Sequence, residues 1–148
     1  MNESTIVAFL AGEIDAGRLA SEVRNSERRV DSITTAVAVA EMKSDFDITR
    51  PMALRFCDAV SNGTLQGDVL RTVAFVIISS DHLTWRDDEL LGEIISDWSC
   101  PEVNYALTPE NMARFRKWLE GTESYPSKTA SVETERGTLV SRLVLERE

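Results

Sequence analysis

The sequence is poor in the residues that build catalytic and metal centres. It contains one histidine, His82, so a site that needs two imidazoles cannot form within one chain. The two cysteines, Cys57 and Cys100, are too few for a disulfide framework and lack the close spacing of a zinc or redox motif. Seven scattered glycines form no nucleotide-binding pattern. We therefore expect neither a cofactor nor a metal ion.

Long apolar segments are also missing. No stretch approaches the roughly 18 apolar residues of a membrane-spanning helix. An apolar run at residues 6–11 is too short for a secretory signal, and Glu3 stands where such a signal has basic residues. Since two unclustered cysteines are typical of a reducing compartment, the sequence predicts a cytoplasmic protein with no membrane partner.

Basic residues are under-represented. The chain has 16 Lys and Arg against 25 Asp and Glu, a formal net charge of −9. This charge repels phosphate backbones, so no nucleic-acid partner is expected, whereas a basic protein would be attracted. The remaining composition is ordinary, because 148 residues with 43% hydrophobic and 28% charged side chains fit one globular domain with its own core.

Helix signals dominate what is present. Asp15 is a suitable N-cap for a helix in which Leu19 and Val23 stand one turn apart. Thr108 followed by Pro109 is a second N-terminal signal, for a helix that ends near residue 121. Other helices are predicted at residues 4–10, 49–62, 69–78 and 87–98. The predicted fold class is all-α, a single irregular bundle of about six to eight helices.

Two apolar segments are ambiguous. Residues 30–43 place Val30, Ile33 and Val37 at helical spacing, although Thr34 and Thr35 favour a strand. Residues 69–78 are apolar all round, which fits a buried helix or a buried strand. We interpret both segments as helices and place the second near the centre of the bundle, because no convincing strand partners flank it.

The C-terminal part differs in composition. Residues 122–137 are rich in Ser, Thr and charge, which is typical of a linker. Residues 138–145 are apolar again and fit a last short helix or a short strand docked on an edge. The predicted organisation is a helical domain at residues 1–121. Residues 122–148 then form a polar linker and a short element that packs on or extends from the same domain.

Acidic residues are concentrated in one stretch. Residues 87–110 hold seven Asp and Glu and no Lys or Arg. Within the predicted helix at residues 87–98, an acid recurs at every fourth position and forms a stripe, made of Glu89, Glu93 and Asp97. Two interpretations stay open. The face is paired internally, with Arg114 and Lys117 as candidate partners, or it receives a basic partner protein.

The functional hypothesis builds on the second interpretation. It describes a non-enzymatic protein-binding domain that neutralises a basic partner, toxin-like or other, through an acidic helix-loop surface. Small immunity and inhibitor proteins offer an analogy of character, without a shared motif. The predicted partner-binding residues combine five acids with two aromatic anchors: Trp85, Asp88, Glu89, Glu93, Asp97, Glu102 and Tyr105. Trp98 lies on the apolar side of its helix and is expected in the core.

Two alternative functions remain. A small intracellular enzyme would use His82 as a base or Cys100 as a nucleophile, although neither lies in a recognisable catalytic motif. A helical adaptor or assembly subunit would instead meet another copy of itself through exposed apolar surface, so a homo-oligomer is compatible with the sequence.

Overall fold

The computed structural model describes residues 1–126 and 142–147. This part of the chain forms six helices and five strands. The helices are α1 (Glu3–Leu10), α2 (Ala16–Ser26), α3 (Arg50–Ser61), α4 (Gly67–Ser79), α5 (Glu89–Ser99) and α6 (Pro109–Glu120). The strands are β1 (Glu27–Arg29), β2 (Thr34–Val39), β3 (Phe46–Asp47), β4 (Leu83–Thr84) and β5 (Arg142–Arg147).

The strands form two sheets, so the all-α prediction is wrong and the fold is mixed α/β. In the larger sheet β2 is central, antiparallel to β1 and parallel to β5. The smaller sheet pairs β3 with β4 in parallel. Helices pack on both sheets, α2 and α4 on the larger one and α4 on the smaller, and α3, α5 and α6 pack on other helices.

The error arises at residues 30–43, which we interpreted as a helix. The chain reverses here, because a carboxylate oxygen of Asp31 accepts hydrogen bonds from the backbone N–H groups of Ile33 (2.9 Å) and Thr34 (2.8 Å). The β-branched residues that follow then favour the extended β2, whose Val37 and Val39 are buried. The helical spacing of Val30, Ile33 and Val37 was therefore accidental.

The C-terminal element is a strand, the second of the two forms predicted for it. β5 pairs with β2 along its whole length, from Thr34 opposite Arg142 to Val39 opposite Arg147. Leu143 and Leu145 are partly buried against the core. Most of the predicted linker, residues 127–137, lies outside the described residues, and residues 122–126 form neither helix nor strand.

One hydrophobic core joins helices and sheets. α4 is its most buried helix, which confirms a helix for the apolar segment at residues 69–78. Aromatic rings run through the core from α1 to α6, with neighbouring centroids 5.1 to 5.9 Å apart: Phe9, Phe56, Trp98, Phe115 and Trp118. Trp98 is fully buried, as expected. These ring contacts fix α5 and α6 on the rest of the domain.

The short parallel sheet determines where a site can form. β3 leads into α3, and β4 leads into α5. Because the two strands run in parallel, their carboxyl ends lie at the same edge, and both helices begin there. Open α/β sheets bind their ligands outside this edge.

Candidate functional site

A hollow of about 750 Å³ lies at the carboxyl ends of β3 and β4. It is lined by residues 47–51 from the first strand-to-helix connection and by residues 85–90 from the second. We call this hollow the crevice. Its lining includes Trp85, Asp88 and Glu89, three of the seven predicted partner-binding residues. The structure therefore brings this part of the predicted surface together.

An ion pair joins the two connections that line the crevice. Arg50, the first residue of α3, donates to both carboxylate oxygens of Asp88, from Nε at 2.7 Å and from Nη2 at 2.9 Å. The same carboxylate caps α5 by accepting from the backbone N–H of Leu91 at 3.2 Å. Its hydrogen bonds with Arg50 lower the pKa of Asp88 and raise that of Arg50. Asp88 thus joins the first turns of two helices.

Trp85 lies half-buried across the first part of α5. A Cβ atom added to Gly92 would lie 2.5 Å from its indole Nε1, so only glycine leaves room for the ring. The next residue, Arg86, has a left-handed backbone with φ of 47°, which costs a non-glycine residue about 1–2 kcal/mol. Its Nε lies 3.3 Å from a carboxylate oxygen of Asp47. The connection after β4 is therefore held in a strained shape.

The rim of the crevice is acidic. Asp87 and Glu89 are exposed, and neither forms an ion pair within residues 1–126 and 142–147. The lining as a whole has four carboxylates against two guanidinium groups. Glu93 lies one turn further along α5 and is also exposed. The indole of Trp85 is consequently bordered by negative charge.

The acidic stripe on α5 ends at Glu93, since Asp97 is completely buried. Eight residues on a helix of 3.6 residues per turn advance the direction by about 80° beyond Glu89, which turns Asp97 toward the interior. There its carboxylate accepts a hydrogen bond from the hydroxyl of Tyr125. Burial, and then this bond, raise the pKa of Tyr125. Asp97 is not accessible to a partner protein.

The remaining predicted residues lie away from the crevice. Glu102 forms an ion pair with Arg71 at 3.0 Å, beside a second hollow between the starts of α4 and α6. Tyr105 packs its ring on Phe115 and Trp118, with centroids 5.6 and 5.5 Å away. Lys117, one of the two residues considered for internal pairing, forms an ion pair with Glu123. Two acids of residues 87–110 are paired with arginines: Asp88 with Arg50 of α3, and Glu102 with Arg71 of α4.

The residues proposed for catalysis are separated. Nδ1 of His82 lies 2.9 Å from a carboxylate oxygen of Asp45, and this hydrogen bond raises the pKa of His82. Burial raises the pKa of Cys57 to about 12, which leaves its thiol protonated and unreactive. Cys100 is exposed at the end of α5. Neither thiol is within hydrogen-bond reach of His82 in the described parts of the chain.

Neither a metal-binding cluster nor a membrane-spanning helix occurs among the described residues. Within residues 1–126 and 142–147, no three His, Cys, Asp or Glu side chains are grouped so that they could hold a metal ion. The helices of that part are all too short or too polar to span a bilayer.

Sequence reasoning missed half of the crevice. Asp47 and Arg50 lie far along the chain from Asp88, and no local pattern links them. The sequence signal for this half of the crevice is the alternation of strands with helices, and the all-α prediction contains no such alternation. Comparisons with protein-family models, with curated proteins and with solved structures found no match.

Proposed function

We propose that this chain is a non-enzymatic protein-binding domain whose crevice receives a basic segment of a partner protein. One observation carries the proposal: the half-buried Trp85 lines a hollow together with the exposed Asp87 and Glu89. A large aromatic anchor inside a charged rim is the usual arrangement of an interaction hot spot. Lys or Arg side chains suit both the acids and the face of the ring.

The rigidity of the crevice supports the same function. The ion pair of Arg50 with Asp88 ties α3 to α5, and Gly92 lets the indole pack closely on α5. A surface that is ordered before binding loses less conformational entropy when the partner docks. Asp88 itself serves this framework, so the acids that meet the partner are Asp87, Glu89 and Glu93.

The charge of the whole chain favours a basic partner. A net charge of −9 attracts a basic protein over long distances and speeds its association. Blocking a basic toxin, as an immunity or inhibitor protein does, is one form that this function takes. The proposal places the protein in the cytoplasm, where the thiols of Cys57 and Cys100 stay free.

The test uses a synthetic arginine-rich peptide that carries two leucines, titrated by NMR and by fluorescence anisotropy. We expect shift changes at the indole N–H of Trp85 and at Asp87 and Glu89. The double variant D87N/E89Q should weaken binding about 3- to 10-fold, because each partly solvated ion pair contributes a few tenths of a kcal/mol to about 1 kcal/mol. W85A should weaken it roughly 30-fold or more, as loss of a hot-spot anchor does.

A matched double variant controls for total charge. E13Q/E110Q removes two exposed acids that lie outside the crevice, so it changes the net charge by the same amount. Binding by this control should fall by less than the effect of D87N/E89Q. If both double variants lose equal affinity, the peptide responds to overall charge and the crevice is not its site.

A further inference from the structure

The end of the β1–β2 hairpin exposes apolar side chains. The described residues contain four large apolar residues with more than a third of their surface exposed, and two of them, Val30 (50%) and Ile33 (38%), lie in this turn. Neighbouring apolar side chains that face solvent commonly mark a surface of contact with another protein. We call residues 28–33 together with Arg142 the hairpin end, since the N–H of Arg142 donates to the carbonyl of Ile33.

A hydrogen-bond network fixes the shape of the hairpin end. The carboxylate of Asp31 accepts from two backbone N–H groups, which lowers its pKa. The guanidinium of Arg29 donates to the carbonyl oxygens of Asp31 (3.1 Å) and Ser32 (2.5 Å). Val30 and Ile33 are exposed within this hydrogen-bonded turn. A protruding apolar surface of fixed shape is suited to insertion into a hollow.

The hairpin end is locally basic in an acidic chain. Arg28, Arg29 and Arg142 are exposed, and within the described residues Arg28 pairs with Glu146 while Arg29 lies close to the carboxylate of Asp31. Both carboxylates are already engaged, Asp31 by the turn and Glu146 by Arg28. With three arginines against these two carboxylates, the surface keeps a positive excess, carried by the exposed Arg142, beside its apolar side chains, which is the chemistry that the crevice is suited to receive.

A molecule cannot place its hairpin end in its own crevice. The hairpin end lies beside Thr34, where β2 begins, whereas Val39 ends the strand opposite Arg147. Arg147 forms an ion pair with Asp81, shortly before β4, which leads into the crevice. Six extended residues span roughly 17–20 Å, so the rigid sheet holds the two surfaces apart. Contact between them requires two molecules.

We propose that the hairpin end of one molecule docks into the crevice of a second copy, in a head-to-tail contact. Val30 and Ile33 cover Trp85, and the arginines of the hairpin end face Asp87 and Glu89. The inference rests on the proposed function, because it uses the crevice as the receiving site. Self-association then occupies the crevice, and a foreign basic partner must displace the second copy.

Light scattering and analytical ultracentrifugation of the full chain test this contact. The average mass should rise with concentration over roughly 10 µM to 1 mM, because an interface smaller than the standard size binds weakly. Added salt should lower the average mass. V30S/I33S should stay monomeric over this range, and D87N/E89Q should reach the same average mass only at about 3- to 10-fold higher concentration. The control I78S/V103S, which replaces the two other exposed apolar residues, should associate like the unaltered chain.

Mixing the two variants, at a concentration where each alone is monomeric, distinguishes head-to-tail contact from a symmetric one. V30S/I33S retains an intact crevice, and D87N/E89Q retains an intact hairpin end, so an equimolar mixture should form a one-to-one complex and nothing larger. A mixture that stays monomeric overturns the inference. So does association that V30S/I33S abolishes but D87N/E89Q leaves intact, since two hairpin ends would then meet each other.

The arginine-rich peptide separates this inference from the function on which it rests. If the unaltered chain stays monomeric to about 1 mM but its crevice binds the peptide, self-association is refuted and the proposed function stands. If V30S/I33S, with its free crevice, binds no peptide, the proposed function fails. If the two variants nevertheless form a one-to-one complex when mixed, the self-association stands and the crevice is specific for the hairpin end.

Discussion

Tyr125 and Asp97 hold the segment after α6 against the core. The hydroxyl of Tyr125 donates to the fully buried carboxylate of Asp97, and its ring packs edge-on against Trp118 with the centroids 5.1 Å apart. A buried carboxylate is tolerated because donors of this kind replace the water that it has lost. The sequence predicted Asp97 at the partner-binding surface, whereas the structure places its carboxylate in the interior, where it stabilises the fold.

Replacing Tyr125 with Phe should destabilise the domain by about 1–3 kcal/mol, the cost of taking a hydrogen-bond donor from a buried group. Phenylalanine keeps the ring contact with Trp118, so the decrease in the free energy of unfolding measures the contribution of the hydroxyl. Urea unfolding measures it. Tyr105→Phe is the matched control, because the Tyr105 ring packs on the same Trp118 and its hydroxyl has no hydrogen bond among the described residues. Equal losses in both variants would contradict this account.

The pair of His82 and Asp45 should make stability depend on pH. The carboxylate of Asp45 raises the pKa of folded His82 above its ordinary value of 6.5, and Glu3 and Glu41 add smaller contributions. Since the folded-state pKa is the higher one, the stabilisation is complete below about pH 6.5 and disappears as pH rises through the folded-state value.

With one histidine in the sequence, an NMR titration of the imidazole carbon protons follows this group alone. The midpoint should lie above 6.5 in the unaltered chain and move down in Asp45→Asn. The difference in unfolding free energy between the two proteins should be largest below about pH 6.5 and shrink toward pH 8. A midpoint unchanged by Asp45→Asn would show that the hydrogen bond does not form in solution.

At the scale of elements, the crevice depends on close packing between α5 and the connection before it. Alanine normally stabilises a helix relative to glycine by about 0.8–1 kcal/mol. In Gly92→Ala that gain should be lost, because the new Cβ would lie 2.5 Å from Nε1 of Trp85 and must displace the indole. We expect no gain in stability and a weaker affinity of the crevice for the arginine-rich peptide.

Gly17→Ala provides the comparison for this variant. Gly17 lies in α2, and a Cβ there meets only an oxygen of Asp15 at an ordinary 3.5 Å. It should therefore gain stability and leave peptide affinity unchanged, as judged by thermal unfolding and anisotropy. If Gly92→Ala behaves like Gly17→Ala, Trp85 does not pack on α5 as described.

Elements with local signals were predictable. The side chains of Asp15 and Thr108 accept hydrogen bonds from backbone N–H groups three residues later, and Gly121 ends α6 with a left-handed φ of 77°. β2 was not predictable by the same reasoning, because its central position depends on β5, which lies beyond all six helices. The crevice was likewise predictable only in part. Trp85 and Glu89 lie four residues apart in the sequence, whereas Arg50, the partner of Asp88, lies on another helix.

At the scale of the whole molecule, charge is distributed unevenly. Exposed acids line the crevice, whereas three exposed arginines lie at the hairpin end. A net charge of −9 destabilises the compact state by self-repulsion, and the same charge attracts basic ligands. Salt therefore acts on stability and on binding in opposite directions.

We expect about 0.5 M sodium chloride, where the screening length is roughly 4 Å, to raise the melting temperature at pH 7 and to weaken binding of the arginine-rich peptide. Differential scanning calorimetry and anisotropy measure the two effects on the same sample. Sucrose at equal osmolality should raise the melting temperature without weakening the binding of the peptide. If salt strengthened peptide binding, apolar contact with Trp85 would dominate over the acidic rim.

The parallel pairing of β2 with β5 also orders the events of folding. β2 is synthesised early, but its second neighbour follows all six helices, so the chain must bring distant segments together before the larger sheet is complete. Contacts between distant segments slow folding, and an unpaired strand edge exposed meanwhile favours aggregation. Before β5 pairs with β2, the backbone N–H and carbonyl groups along one edge of β2 are free to form hydrogen bonds with another extended chain. Pairing with β5 therefore closes this edge of β2 only at the end of the chain's synthesis.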